Sequence, residues 1–223
     1  MDNFEKLTEV VKGRVPGFDI RYKSDSWVQR AIGKILSPFN KEYMTRYITT
    51  FYPYVYWPDK ASLEDDRHHA FETLAHEYVH LIDTKRHPFL FRFSYMFPQV
   101  LGVIFPFFAL FAIWFTNLWL ISLASIIFVA LPIPSPWRAK WEYRGFAMSM
   151  AVCIWRGQFN IESKKSWIAE RFTGSSYFYM WPFKKSVKRR LNEIENRIHD
   201  STIMDRSEVY RDVFKIVRDS RSK

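Results

Sequence analysis

Apolar positions recur at helical spacing near the N-terminus, at Phe4, Leu7, Val10 and Val11. They recur again at Trp27, Val28, Ile32, Ile35 and Leu36, after the start signal Ser24-Asp25-Ser26. Two short amphipathic helices are therefore predicted before Pro38, with Phe18 to Tyr22 as a candidate strand between them. From Met44 to Trp57 the chain is rich in Tyr, Thr, Ile, Phe and Val, which favour a pleated surface and predict one strand or a hairpin broken at Pro53. Pro58-Asp59 ends that segment. Ser62 followed by Asp65 reads as a capping box and opens a helix predicted over 63–85. Further on, Glu142 to Trp155 reads as a packed helix, Ser163 to Phe172 as a shorter amphipathic one, and 174–182 as an aromatic loop. Val187, Leu191, Ile194 and Ile198 mark a basic amphipathic helix, and Val209, Val213, Phe214 and Val217 a last one.

One block breaks this alternation. From Phe93 to Trp137 there is no Asp, Glu, Lys, Arg or His. A bilayer core needs roughly 20 apolar residues per helical pass, so the block is long enough for two passes. Thr116-Asn117 is the natural turn, leaving Phe93 to Phe115 and Leu118 to about Pro136 as spans. Tyr95, Trp114, Trp119, Trp137 and Trp141 fall where headgroup belts would lie. The cations Arg92, Arg138 and Lys140 lie on the outer flanks, which places both flanks in the cytoplasm. Prolines shorten the second span, so a re-entrant hairpin is the alternative geometry. The expected organisation is an N-terminal part over 1–92, a transmembrane or re-entrant hairpin over 93–137, and a C-terminal part over 138–223. Asp2, Glu5, Lys6 and Glu9 spoil any apolar N-terminal leader, so no cleavable signal is expected.

Composition narrows the chemistry. Among 223 residues the hydrophobic share is 48% and the aromatic share 19%, which excludes a disordered or collagen-like chain. The net charge of +10 suits anionic partners. The basic cluster of Lys184, Lys185, Lys188, Arg189 and Arg190 reads as a solvated helix face rather than a nucleic-acid reader, so nucleic acid is not expected as a partner. A single cysteine, Cys153, rules out both an intramolecular disulfide and a cysteine zinc knuckle. Any metal site must be built from His, Asp and Glu.

Such a set stands at 76–80, which read HEYVH. On a helix, His76 and His80 share a face about 6 Å apart and can hold one Zn²⁺ as neutral imidazoles. Glu77 lies one position round, placed to act as general base on an activated water. A catalytic zinc needs a third protein ligand. Asp83 and Glu142 are the candidates: Asp83 shares the strip of His80 and reads better as a partner orienting an imidazole, while Glu142 opens the helix after the hairpin. A two-pass hairpin returns the chain to the face it left and would bring Glu142 near the zinc helix. His69, Glu72, His76, His80, Asp83 and His87 form one polar stripe, along which His69 or His87 could steady an oxyanion or line a substrate cleft. Tyr52, Tyr54 and Tyr56 alternate along the predicted strand, which could pair with an extended peptide.

LAHEYVH, a two-span insertion, and then the arginine-flanked glutamate of WEYRGFA together resemble the HtpX-like membrane zinc proteases of gluzincin type, related to the CaaX prenyl proteases. The resemblance covers roughly residues 44 to 155. It implies His76, His80 and Glu142 as zinc ligands, Glu77 as catalytic base, and peptide-bond hydrolysis at the cytoplasmic membrane face. The chain departs from that family in having Phe146 where an Asp follows the third ligand, Tyr78 where a small residue often stands, and no N-terminal span. The expected fold is mainly α with a small β-sheet, a zincin-like core carrying an inserted two-helix transmembrane hairpin. The expected activity is that of a two-pass membrane zinc metalloendopeptidase, with a peptide or membrane-protein substrate and the lipid bilayer as partners. The alternative is a catalytically silent membrane scaffold whose basic C-terminal helices bind a protein or anionic lipid. The sequence leaves the oligomeric state open.

Overall fold

The computed structural model describes residues 1–37, 41–97, 134–157, 160–177 and 179–221. The predicted N-terminal helix is α1 (Asn3–Arg14), opened by a capping box in which Glu5 N–H donates to Asp2 Oδ1 at 2.7 Å and Asp2 N–H to Glu5 Oε2 at 2.9 Å. It buries Phe4, Leu7 and Val11. β1 (Asp19–Tyr22) follows, then α2 (Trp27–Leu36) with Ser26 as its cap. Trp27 and Val28, which open the apolar face expected for α2, do not point inward. Trp27 and Val28 are 73% and 41% exposed, while Gln29 and Gly33 are buried. Gln29 turns in because it accepts from the Tyr43 hydroxyl at 2.6 Å. Gly33 lies so close to Met44 that a Cβ there would sit 2.7 Å from Met44 Cγ.

The segment over Met44 to Trp57 is a hairpin: β2 (Thr49–Phe51) and β3 (Tyr54–Trp57) turn at Tyr52-Pro53. The sheet runs β1-β3-β2, with β1 parallel to β3 and β2 antiparallel to it. Tyr54 and Tyr56 therefore lie on the central strand, paired to both neighbours. The edges that could accept an extended peptide are β1 and β2, not the strand bearing these two tyrosines.

The helix predicted over 63–85 is two helices. α3 (Lys60–Asp65) is capped by Asp59, whose side chain and Ser62 form the capping box. Asp66 then leaves helical geometry (φ −133, ψ 88) and caps α4 (Arg67–Arg86), accepting from His69 N–H at 2.9 Å. A second N-cap inside the pattern breaks what hydrophobic spacing reads as continuous.

After α4 comes α5 (Pro88–Met96), packed on α4 and on α6 (Pro136–Trp155). These elements correct the expected membrane hairpin. Its first span was to begin at Phe93, but the chain there is the end of a nine-residue helix that buries Phe91 and Ser94 against the protein. Ser94 Oγ accepts from Trp141 Nε1 at 2.9 Å, so Trp141 is a packing residue of α6 rather than part of a headgroup belt. Residues 98–133 of the expected hairpin lie outside the described residues. Among the described residues no helix is long and apolar enough to cross a membrane, so the expected transmembrane hairpin and two-pass location find no support there.

The remaining elements are α7 (Ile161–Thr173), a 3-10 turn at Ser175–Tyr177, α8 (Lys184–His199), a 3-10 turn at Thr202–Arg206 and α9 (Glu208–Arg221). α4 is the axis of the molecule. α1, α5, α6 and α9 pack around it, and Phe71, Leu74, Ala75, Tyr78 and Leu81 are wholly buried along it. Its most extensive partner is α6.

Candidate metal centre

The helical step of α4 puts His76 and His80 on the side facing α6, where they are 8% and 4% exposed. The ring of His76 fits because Gly145 of α6 has no side chain. A Cβ on Gly145 would lie 2.5 Å from His76 Nε2 and 2.6 Å from its Cε1. Glu142, one helical turn before Gly145, is 2% exposed and enters the same space. The two imidazoles approach with Nε2 to Nε2 at 3.1 Å, and Glu142 Oε2 lies 3.7 Å from His76 Nε2. One ligand atom from each of the three residues lies within 4.8 Å of the others.

These donors fit a metal. Ligands about 2.05 Å from a tetrahedral ion are separated by about 3.3 Å, close to the observed spacings. Glu142 Oε2 is buried with no hydrogen-bond partner, although its other oxygen accepts from the Tyr95 hydroxyl. A buried carboxylate oxygen without a donor is costly unless a cation meets it. His76 Nδ1 lies 3.4 Å from Ser149 Oγ, a partner that would leave Nε2 to ligate. His76, His80 and Glu142 could hold a metal ion.

The electrostatics agree. Burial, reinforced by the neighbouring His76, pushes His80 down to about 3, so it is neutral at pH 7 and able to donate a lone pair. Burial works to raise Glu142, but the imidazole of His76, 3.7 Å away, the nearby His80 and the guanidinium of Arg138 outweigh it and hold the carboxyl down at about 2. Burial lowers His76, but Glu142 and Glu77 outweigh it and lift the imidazole above its ordinary value. Glu77 is raised, chiefly by burial and further by Glu142. Its Oε2 accepts from Thr50 Oγ1 at 2.6 Å, which ties the carboxylate to β2.

The other residues predicted for the site are placed as follows. Asp83 does not orient an imidazole. It is 1% exposed and takes two bonds from Arg144, from Nε at 2.8 Å and Nη2 at 2.6 Å. His69 and His87 are exposed at the two ends of α4, His69 in its first turn and His87 as its C-cap, outside the donor cluster. Glu72 pairs with Lys164. The two positions that depart from the resembled family have local reasons. Tyr78 turns away from the donors and its hydroxyl donates to Asp212 Oδ2 of α9 at 3.0 Å. Phe146 packs its ring edge-on against His76, with centroids 4.8 Å apart, and so steadies the imidazole by contact rather than by hydrogen bond.

Four residues that support the site were not singled out for it by sequence: Thr50, Tyr95, Gly145 and Ser149. Tyr95 sits in the charge-free block, where an aromatic reads as a membrane anchor. Thr50 and Ser149 are small hydroxyl residues with no motif around them. Gly145 carried the one available signal, a glycine inside the predicted helix, which marks a close approach.

Comparisons with protein-family models, with curated proteins and with solved structures find no match to this chain.

Proposed function

We propose that the protein is a zinc-dependent metallopeptidase that uses His76, His80 and Glu142 as ligands and Glu77 as general base. The observation that supports this most is that two imidazole nitrogens and a carboxylate oxygen converge in a buried space beside a second carboxylate. Burying such groups costs several kcal/mol, a burden that a silent scaffold has no reason to carry. The two-histidine, one-carboxylate set suits zinc in hydrolases and also ferrous iron, and the adjacent Glu77 favours hydrolysis.

When bound, zinc would polarise the substrate carbonyl and make a water acidic near neutral pH. The chain's own residues do the rest. Thr50 fixes Glu77 by one oxygen, leaving Oε1 to take a proton from the attacking water. The raised pKa of Glu77 suits a group that must accept that proton and pass it to the departing amine. β2 is an edge strand, so an extended peptide added beside Thr49–Phe51 would lie close to Glu77.

The test is peptidase activity of Glu77→Gln on an unfolded protein substrate. It should fall by roughly 10²–10⁴ with zinc content unchanged. Undiminished cleavage by the variant would reject the reading.

A further inference from the structure

On the side of α6 turned away from the donor cluster lies a cavity of about 400 Å³, bounded by α6, α8, the turn Thr202–Arg206 and the start of α9. Its charge is one-sided. Lys140, Arg144, Arg189, Arg190, Arg197 and Arg206 line it against one carboxylate, Glu193. Glu193 is shared by Arg190 at 2.8 Å and Arg189 at 4.0 Å, and Arg144 is held by Asp83. Lys140, Arg197 and Arg206 have no ion pair among the described residues. Like charges gathered without counter-charge are unfavourable, and burial together with Arg197 and Arg190 lowers the pKa of Arg206.

The floor is of a different kind. Ala139, Ala147, Ile194 and Ile203 are buried there, and the rings of Tyr143 and Trp181 form part of the wall. The Tyr143 hydroxyl is buried with no hydrogen-bond partner among the described residues, and so is a donor still to be matched. An apolar floor, a few convergent polar groups and a volume of this size are the features of a small-molecule site. Guanidinium groups match phosphate oxygens in pairs, and three cations without partners can neutralise more than one phosphate charge.

We infer that this cavity binds a soluble phosphate-bearing small molecule, its phosphates on Lys140, Arg197 and Arg206 and its organic body against Tyr143 and Trp181. The site is separate from the metal centre and does not depend on it. The shared chemistry, a phosphoanion, could come from a soluble ligand or from a lipid headgroup, and a bounded recess of about 400 Å³, the size of a small-molecule site, favours the soluble one.

The experiment is calorimetric titration of the full chain with ATP and with inorganic pyrophosphate, alongside binding to phosphatidylcholine vesicles with and without phosphatidic acid. ATP should bind saturably and more tightly than pyrophosphate. The double variant R197Q/R206Q should weaken binding by at least about tenfold with an unchanged melting temperature, and Lys140→Gln, exposed on α6, should weaken it by less. The control K184Q/K185Q, equal in charge but outside the cavity, should bind ATP as the unaltered chain does. Absence of saturable binding to either soluble anion, equal weakening in the control, or binding to acidic vesicles alone would overturn the proposal.

Discussion

The α4–α6 interface buries two carboxylates, Asp83 at 1% exposure and Glu142 at 2%, and surrounds them differently. Asp83 meets the fork of Arg144, and both of its oxygens are matched by guanidinium hydrogens. Glu142 meets two imidazoles and a phenol, and its Oε2 has no hydrogen-bond donor. Equal burial thus produces different chemistry. A carboxylate closed by a planar cation is a brace, whereas one whose free oxygen faces two nitrogen lone pairs is an offer to a metal ion. Both lie on the same pair of helices, so what separates them is the partner presented across the interface.

The largest effect should come from disturbing the space around Glu142 without touching a donor. In Gly145→Ala the new Cβ would fall 2.5 Å from His76 Nε2 and push the ring out of line. Metal affinity, measured by competition with a chelator, should drop by about 100-fold or more while the circular dichroism spectrum is kept. Unchanged affinity would mean that His76 is not held where it lies. Next, Asp83→Asn removes the brace. A broken buried pair costs about 3–5 kcal/mol, but the Arg144 side chain is 40% exposed, so about 2 kcal/mol is expected in chemical denaturation. Zinc content should be unaffected, which is what separates Asp83 from Glu142. Loss of zinc in this variant would erase the distinction.

The smallest effect extends the comparison to a buried cation. Lys23 is wholly buried, donates to Tyr43 O at 2.7 Å, and is pushed down to about 7 by burial. Its pKa in the unfolded chain is about 10.4, so between about pH 7 and 10 the unfolded state binds more protons and stability rises with pH. Below about pH 7 both states are protonated and the penalty is complete. Urea midpoints should rise across that window by an amount equivalent to at least about 1 kcal/mol. Lys23→Met should flatten the rise.

How much of this was legible in the sequence depends on the kind of signal. Helices with a clear apolar stripe, such as those around Leu7 and Leu191, were readable because one face meets the core. His76, Glu77 and His80 were readable because their spacing is local. Glu142 was nominated, but through a membrane detour; the described structure instead shows α4 and α6 packed directly, with Gly145 against His76. The break at Asp66 and the inward turn of Gln29 were not readable, because each follows from a particular hydrogen bond rather than from periodicity. The charge-free block misled for a related reason. The first residues of the block, from Phe93 to Met96, belong to α5, a nine-residue helix that carries Arg92 and packs on α4 and α6, so a run without charge does not by itself mark a span. Asp83 was assigned to an imidazole because position along α4 shows which face a residue occupies, not which residue of α6 will meet it.

The most direct test of the metal centre is zinc content of the purified protein beside that of Glu142→Ala and Glu77→Gln. If the three donors form one site, the unaltered chain and Glu77→Gln carry stoichiometric zinc, while Glu142→Ala, folded by circular dichroism, carries almost none. Stoichiometric zinc in Glu142→Ala would contradict it.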